Sequence, residues 1–198
     1  MKTVLFMLLD QWAEWEAAYL ASALKMLSGE QYSVKTVSLK KEAVESIGGF
    51  KVLPDYDIQS VPEEYEALIL VGGMTWRSEA ARQVKPLAEV CAANGRVLGG
   101  ICDAAGFLGT IGVLNNIRHT GNGLNDIKNW AGAAYSGEDN YVSEQAVRDN
   151  NIVTANGTAA LEFAKEVLFA LNAAPEEKIT EWYNFHKLGY YGATMPKM

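Results

Sequence analysis

The sequence predicts an α/β fold, with a mostly parallel sheet covered by helices on both faces. Three observations carry this prediction. Strand-like and helix-like segments alternate along the chain, the order that builds right-handed β-α-β units. The run Ala67–Val71 is apolar throughout and closes on Gly72-Gly73, as expected of a strand buried on both faces. Three segments, "LLDQWAEWE", "LILVGGMTW" and "LGGICDAAG", each lead a strand end into a turn, where the working residues of such sheets gather.

Element by element, Thr3–Leu9 is rich in β-formers and reads as the first strand. Trp12–Ser28 sets Trp12, Trp15, Tyr19, Leu20, Leu24 and Leu27 at helical spacing, and Gly29 stands where a helix stops. Tyr32–Leu39 alternates as a strand. Between Val44 and Asp57, Gly48-Gly49 separates two short apolar runs, a hairpin signal. Ser78–Asn94 reads as helix, Arg96–Ile101 as another buried strand, and Asp103–Ile111 as helix again. Asn115–Asp139 is loop-rich. Asp149-Asn150-Asn151 makes a turn before strand Ile152–Ala155, and Thr158–Asn172 and Pro175–His186 are the closing helices. No repeat or linker interrupts them, so residues 1–198 are read as one domain.

At 198 residues the chain can bury a full core without disulfides or metal. Its net charge of −7 argues against a nucleic-acid partner, since no Lys/Arg cluster could follow a phosphate backbone. No apolar run approaches the roughly 18 residues of a membrane span. The opening "MKTVLFMLLDQW" has no small-residue cleavage site and reads as a buried strand rather than a signal peptide. Cys91 and Cys102, without a secretion signal, point to a reducing cytoplasm and not to a structural disulfide. The cysteines and the two histidines show no ligand spacing, so neither a metal site nor a cofactor is expected.

Gly100-Ile101-Cys102-Asp103-Ala104 has the form small-any-nucleophile-any-small, the pattern of a nucleophile elbow. On a tight strand-to-helix turn, large side chains two residues either side of the nucleophile would clash. The following helix aims its first amides at the sulfur, favouring thiolate and offering donors to an oxyanion. The competing reading is a buried, inert cysteine. Cys91, inside a helical stretch beside Val84, Leu87 and Val90, has that bland reading. Gly72-Gly73 reads either as a tight turn or as backbone brought close to a ligand, with the Gly73 or Met74 amide exposed.

Glu14 and Glu16 lie two residues apart and cannot share a helix face, so one meets solvent and the other turns inward. A carboxyl held beside a cysteine in an apolar site stays protonated and can donate to the sulfur. A cysteine hydrolase needs a base. His186, near the last helix end, suits a surface or dimer contact, whereas His119 in "NNIRHTGN" could fold back over the site. Trp76, Trp130 and Tyr135 either line a pocket or pack.

Taken together, "LLDQWAEWEAAYL", "ALILVGGMTW", "GRVLGGICDAAGFLGTIGVLNN" and "VRDNNIVTANGTAALEFAKEVLFAL" resemble, nearly end to end, the ThiJ/PfpI family of the class I glutamine amidotransferase-like superfamily. The resemblance implies a flavodoxin-like three-layer sandwich and a homodimer. It implies that Cys102 is the nucleophile and Glu16 its protonated partner, with Gly73 and the Asp103 amide as the oxyanion backbone. The departures are informative. Protease-like members carry a histidine directly after the cysteine, where this chain has Asp103; an acid there repels a thiolate, and a Cys-His dyad of that type cannot form. Glutamine amidotransferases carry a late histidine, and "TANGTAALEF" has none. Other members place a histidine in the loop after the elbow helix; aligned on Thr120, that position is Asn122, and His119 falls just before it.

The expected function is therefore a cysteine-dependent hydrolase or amidase, or glyoxalase- or deglycase-type chemistry on small carbonyl compounds. Cys102 would act with Glu16 or His119, with Trp76 and Asn122 as candidate contacts to a small-molecule substrate. The alternative is a non-enzymatic oxidative-stress sensor or protective protein acting through oxidation of Cys102. A regulator's ligand-binding domain is disfavoured, because no DNA-binding segment is expected after residue 198.

Overall fold

In the computed structural model, which describes residues 1–196, the strands β1 (Lys2–Met7), β2 (Tyr32–Ser38), β5 (Tyr56–Asp57), β6 (Ala67–Leu70), β7 (Val97–Ile101), β8 (Ala146–Asp149) and β9 (Ile152–Ala155) form one sheet. Their order is β5-β2-β1-β6-β7-β9-β8. Every neighbouring pair is parallel except the edge pair β8–β9, which is antiparallel. Two further short strands, β3 (Val44–Glu45) and β4 (Lys51–Val52), pair as the hairpin signalled by Gly48-Gly49.

The alternation of side chains along a strand divides the core in two. From β1, Val4 and Phe6 enter the layer built by α1 (Glu14–Leu27), α5 (Ala160–Ala170) and α6 (Glu176–Leu188). Leu5 and Met7 enter the opposite layer, with α2 (Lys85–Ala93), α3 (Asp103–Thr110) and α4 (Leu124–Ala131). β6 repeats this, Ala67 and Ile69 facing one way and Leu68 and Leu70 the other. In β7 two glycines let the helices close in. A Cβ on Gly99 would lie 2.8 Å from Phe163 Cζ of α5, and one on Gly100 2.8 Å from Leu108 Cδ1 of α3. The result is the flavodoxin-like α/β sandwich, and its parallel strands bring the carboxyl ends of β1, β6, β7 and β9 together.

Three elements differ from the sequence reading. The segment Asn115–Asp139 contains α4, hidden because "LNDIKNWA" is polar and only Ile127 of it is fully buried. Ser78–Asn94 is not one helix; a 3₁₀ segment over Ala80–Val84 precedes α2, which starts at Lys85-Pro86. β8 precedes the Asp149-Asn150-Asn151 turn, where Asn150 takes φ +51°. Among the described residues no helix is long and apolar enough to cross a membrane.

Candidate active site

Cys102 stands between β7 and α3 with φ +61° and ψ −132°. A β-carbon in this region of backbone space costs on the order of 1–2 kcal/mol, so the surrounding contacts must impose it. The Cys102 amide donates to Ala155 O of β9 at 3.0 Å, tying the elbow to the neighbouring strand. The small residues on either side have a visible reason. A Cβ on Gly100 would crowd not only Leu108 but also Ala104 O, at 3.2 Å.

The half-buried Cys102 side chain has company from four directions. Glu16, in the first turn of α1, is 1% exposed and faces the sulfur and the Gly72 backbone. Neither carboxyl oxygen has a hydrogen bond of ordinary geometry to a nitrogen or oxygen among the described residues. Burial therefore pushes the Glu16 carboxyl up to about 7, while the nearby Cys102 thiol and Gly72 amide act the other way. Burial also raises the Cys102 thiol, with the Glu16 charge adding to it when that carboxyl is ionised. The two groups titrate as a pair: both are protonated below about pH 7, and above it one proton remains between them.

Asn122 supplies the second contact, its Nδ2 donating to Cys102 Sγ at 3.4 Å and to Asp103 Oδ1 at 3.2 Å. The Gly157 amide fixes this orientation by donating to Asn122 Oδ1 at 3.0 Å. The Asp103 amide, at the start of α3, is the third contact and the second N–H donor to the sulfur. The fourth side is glycine. A Cβ on Gly157 would lie 2.9 Å from Cys102 Sγ, and one on Gly72 would collide with Glu16 Oε2 and sit 2.5 Å from Cys102 Cβ. Trp15, although half-exposed, holds the Gly157 turn by donating Nε1 to its carbonyl at 3.3 Å.

Gly73 packs its Cα against β1's exit. Its φ is +155°, and a Cβ there would lie 2.5 Å from Gln11 O. The Met74 amide donates to Gln11 O at 3.1 Å, whereas the Gly73 amide makes no hydrogen bond among the described residues. Of the Gly73 and Met74 amides only that of Gly73 is unspent, while the Asp103 amide, the other one expected to hold an oxyanion, is directed at the Cys102 sulfur.

Two candidates lie elsewhere. His119 is fully buried; its Nε2 meets Tyr135 Oη at 2.6 Å and its Nδ1 meets Ile117 O at 2.8 Å. Donation from Nδ1 to that carbonyl leaves Nε2 to accept from the phenol, so both ring nitrogens are engaged away from the sulfur, and burial lowers the imidazole pKa. The expectation that His119 folds over the site is corrected: Asn122 takes that place. Trp76 is 1% exposed, donates Nε1 to Val71 O at 2.7 Å and packs on Phe107 at 5.0 Å, a core residue rather than a substrate contact.

Sequence reasoning missed Gly157 and Arg77. Gly157 carried one signal, a place just beyond the carboxyl end of strand Ile152–Ala155. Arg77, in the turn after β6, binds Asp103 through Nε at 2.9 Å and Asp126 of α4 through Nη2 at 2.9 Å, and stacks on Trp130 at 4.8 Å. No cluster of His, Cys, Asp or Glu suited to a metal is found among the described residues.

A family model described as the DJ-1/PfpI family matches residues 2–170. The chain is 39% identical to a Bacillus subtilis protein named uncharacterized protease YdeA, over 96% of this chain and 94% of that one. A second Bacillus subtilis protein, uncharacterized protease YoaZ, is 33% identical over 88% and 86% of the two chains. Among solved structures, a ThiJ/PfpI family protein from Bacillus anthracis superposes with a TM-score of 0.88 at 31% identity, covering 94% of this chain and 92% of that one.

Proposed function

The chain belongs to the DJ-1/PfpI family, and on that premise we propose that it is a Cys102-dependent enzyme acting on small carbonyl compounds. The observation that carries this reading is the pairing of Cys102 with a buried carboxyl while no imidazole is hydrogen-bonded to the sulfur. Peptide hydrolysis needs a group that protonates the leaving amine, and the histidine available for it is bound to Tyr135 and Ile117. Addition of a thiol to an aldehyde has no leaving group and needs only a nearby proton carrier.

For an α-oxoaldehyde the steps balance within the site. The Cys102 sulfur bonds to the aldehyde carbon, and the oxygen takes a proton to give a hemithioacetal. The Glu16 carboxylate removes the proton from that carbon and returns it to the neighbouring carbonyl carbon, while the hemithioacetal hydroxyl proton passes to that carbonyl's oxygen, leaving a thioester of a 2-hydroxy acid. Water cleaves the thioester and releases the acid and the thiol, with no external oxidant. The free Gly73 amide would receive the oxyanion, and a small substrate would approach from the open cleft of about 540 Å³ lined by the Cys102 neighbours Asn122 and Gly157.

Incubation with methylglyoxal and assay of lactate tests the reading. Wild type should convert the aldehyde, while Cys102→Ser and Glu16→Gln should fall to the uncatalysed background; equal rates in all three would sink it. A second reading, an oxidation-responsive thiol, draws support from the two N–H donors around the sulfur, which could hold sulfur-bound oxygens. Intact mass after mild peroxide tests it, and the absence of an oxygen adduct on Cys102 would remove it.

A further inference from the structure

An acid directly after the nucleophile should hinder a thiolate, and the structure contains a device that answers it. Asp103 is not free. Its Oδ2 accepts from Arg77 Nε at 2.9 Å, and its Oδ1 accepts from Arg77 Nη2 and from Asn122 Nδ2, each at 3.2 Å. The same Nη2 reaches both oxygens of Asp126 at 2.9 Å, and the guanidinium plane lies over Trp130, also on α4. Arg77 thus clamps the first turn of α3 to α4, and Asn122, two residues before α4, is the residue whose amide touches the sulfur.

From this geometry we infer that Arg77 is a positioning residue for Cys102: it neutralises the Asp103 carboxylate and, through it, holds the Asn122 amide on the sulfur. The inference rests on the reading of Cys102 as a reactive thiol and adds the group that makes such a thiol compatible with Asp103. Three groups face the sulfur directly, Glu16 from α1, Asp103 from α3 and the uncharged Asn122 from the loop before α4. Arg77 and Asp126 act through Asp103. Two acids and one guanidinium leave this cluster one negative charge, so losing Arg77 leaves two uncompensated carboxylates beside the site. A neighbouring charge of this kind moves a titrating group by about one unit or more.

The test is the pH profile of Cys102 alkylation by iodoacetamide in the folded protein, read by mass against Cys102→Ser. Arg77→Met should raise the midpoint by about one unit, an alkylation rate about tenfold slower at a fixed pH below it. Asp103→Asn should lower the midpoint, and the double variant should return to the wild-type value or below. Arg77→Lys, which keeps a charge but loses the fork, should shift upward by less. A merely structural role would move Arg77→Met and the double variant alike. Coincident wild-type and Arg77→Met profiles, or a double variant indistinguishable from Arg77→Met, overturn the inference. If Arg77→Met does not fold, Asp103→Asn decides: a fall supports it, and no change or a rise refutes it. A wild-type Cys102 whose alkylation does not rise with pH up to about 11 removes the reactive thiol itself, and the inference with it.

Discussion

The chain's two cysteines, one on α2 and one at the turn into α3, are alike in one respect: burial pushes both thiols up to about 11. In every other respect they differ. Cys91 lies on the inner face of a regular helix, fully buried, with its sulfur 3.5 Å from Val97 O and Tyr65 beside it. Cys102 is half-buried at a positive φ, with a buried carboxyl that titrates beside it and two N–H donors aimed at its sulfur. Burial alone does not distinguish an inert thiol from a reactive one. What distinguishes them is whether a titrating partner stands beside the sulfur and whether the thiolate charge has donors waiting for it.

The largest effect that could break this comparison is the removal of one sulfur. Cys102→Ser should abolish iodoacetamide labelling of the folded protein and reduce aldehyde conversion to background, both read by mass and lactate assay. Labelling that persists at wild-type rate would mean that Cys91 is reached in the native state, and the contrast would collapse.

Next in size is Glu16→Gln. In the wild type the Glu16 carboxyl ionises as pH climbs through about 7, and its charge then opposes the thiolate, which holds the alkylation midpoint well above neutrality. Without that charge the thiolate forms more readily, so the alkylation midpoint of the glutamine variant should move down by about one unit, a rate about tenfold faster at a fixed pH between 7 and that midpoint. Stability responds to the same ionisation. The folded-state carboxyl lies above its ordinary 4.5, so its contribution is complete below about pH 4.5 and is lost as pH rises toward 7. Melting curves should therefore show the glutamine variant gaining on the wild type by on the order of 2–3 kcal/mol between pH 4.5 and 7.5. A constant difference across that range would mean that Glu16 ionises freely.

These residues also show how far the sequence speaks. The apolar runs of β6 and β7 and the small-any-Cys-any-small pattern are local signals, because strand burial and elbow crowding act within a few residues of one another. Glu16 needed more: its distance from Trp15 in burial, on adjacent positions, is set by helix rotation, and the family resemblance singled it out. Arg77, Asn122 and Gly157 meet Cys102 and Asp103 only through tertiary closure, across separations of 19 residues or more. Nothing in "MTWRSE" says that its arginine will answer Asp103. α4 was illegible for a related reason, since a helix that buries one side chain fully and shows polar groups elsewhere has almost no apolar period.

A smaller effect concerns His119. His119→Phe keeps the ring volume but leaves Tyr135 Oη and Ile117 O without their partner, a cost of about 1–3 kcal/mol in thermal or urea unfolding. Alkylation of Cys102 and conversion per folded molecule should stay within about twofold of wild type. A large kinetic loss in a protein that still folds would return the imidazole to the chemistry.

The smallest effect belongs to the other cysteine. Cys91→Ala removes a sulfur packed among Ala88, Tyr65 and Val97 and deletes only a weak S–H donor to Val97 O. The lost packing should cost about 1 kcal/mol, at the low end of core truncations, because alanine keeps the Cβ and suits the helix better than cysteine does. The alkylation profile of Cys102 should superimpose on that of the wild type, since α2 lies in the opposite layer from Glu16 and supplies none of the groups around the sulfur. The same substitution also isolates the elbow, leaving one thiol whose every titration belongs to the Glu16 pair. If that single thiol titrated differently from Cys102 in the wild type, the two cysteines would be coupled through β7, whose Val97 receives the Cys91 hydrogen bond and whose last residue precedes Cys102.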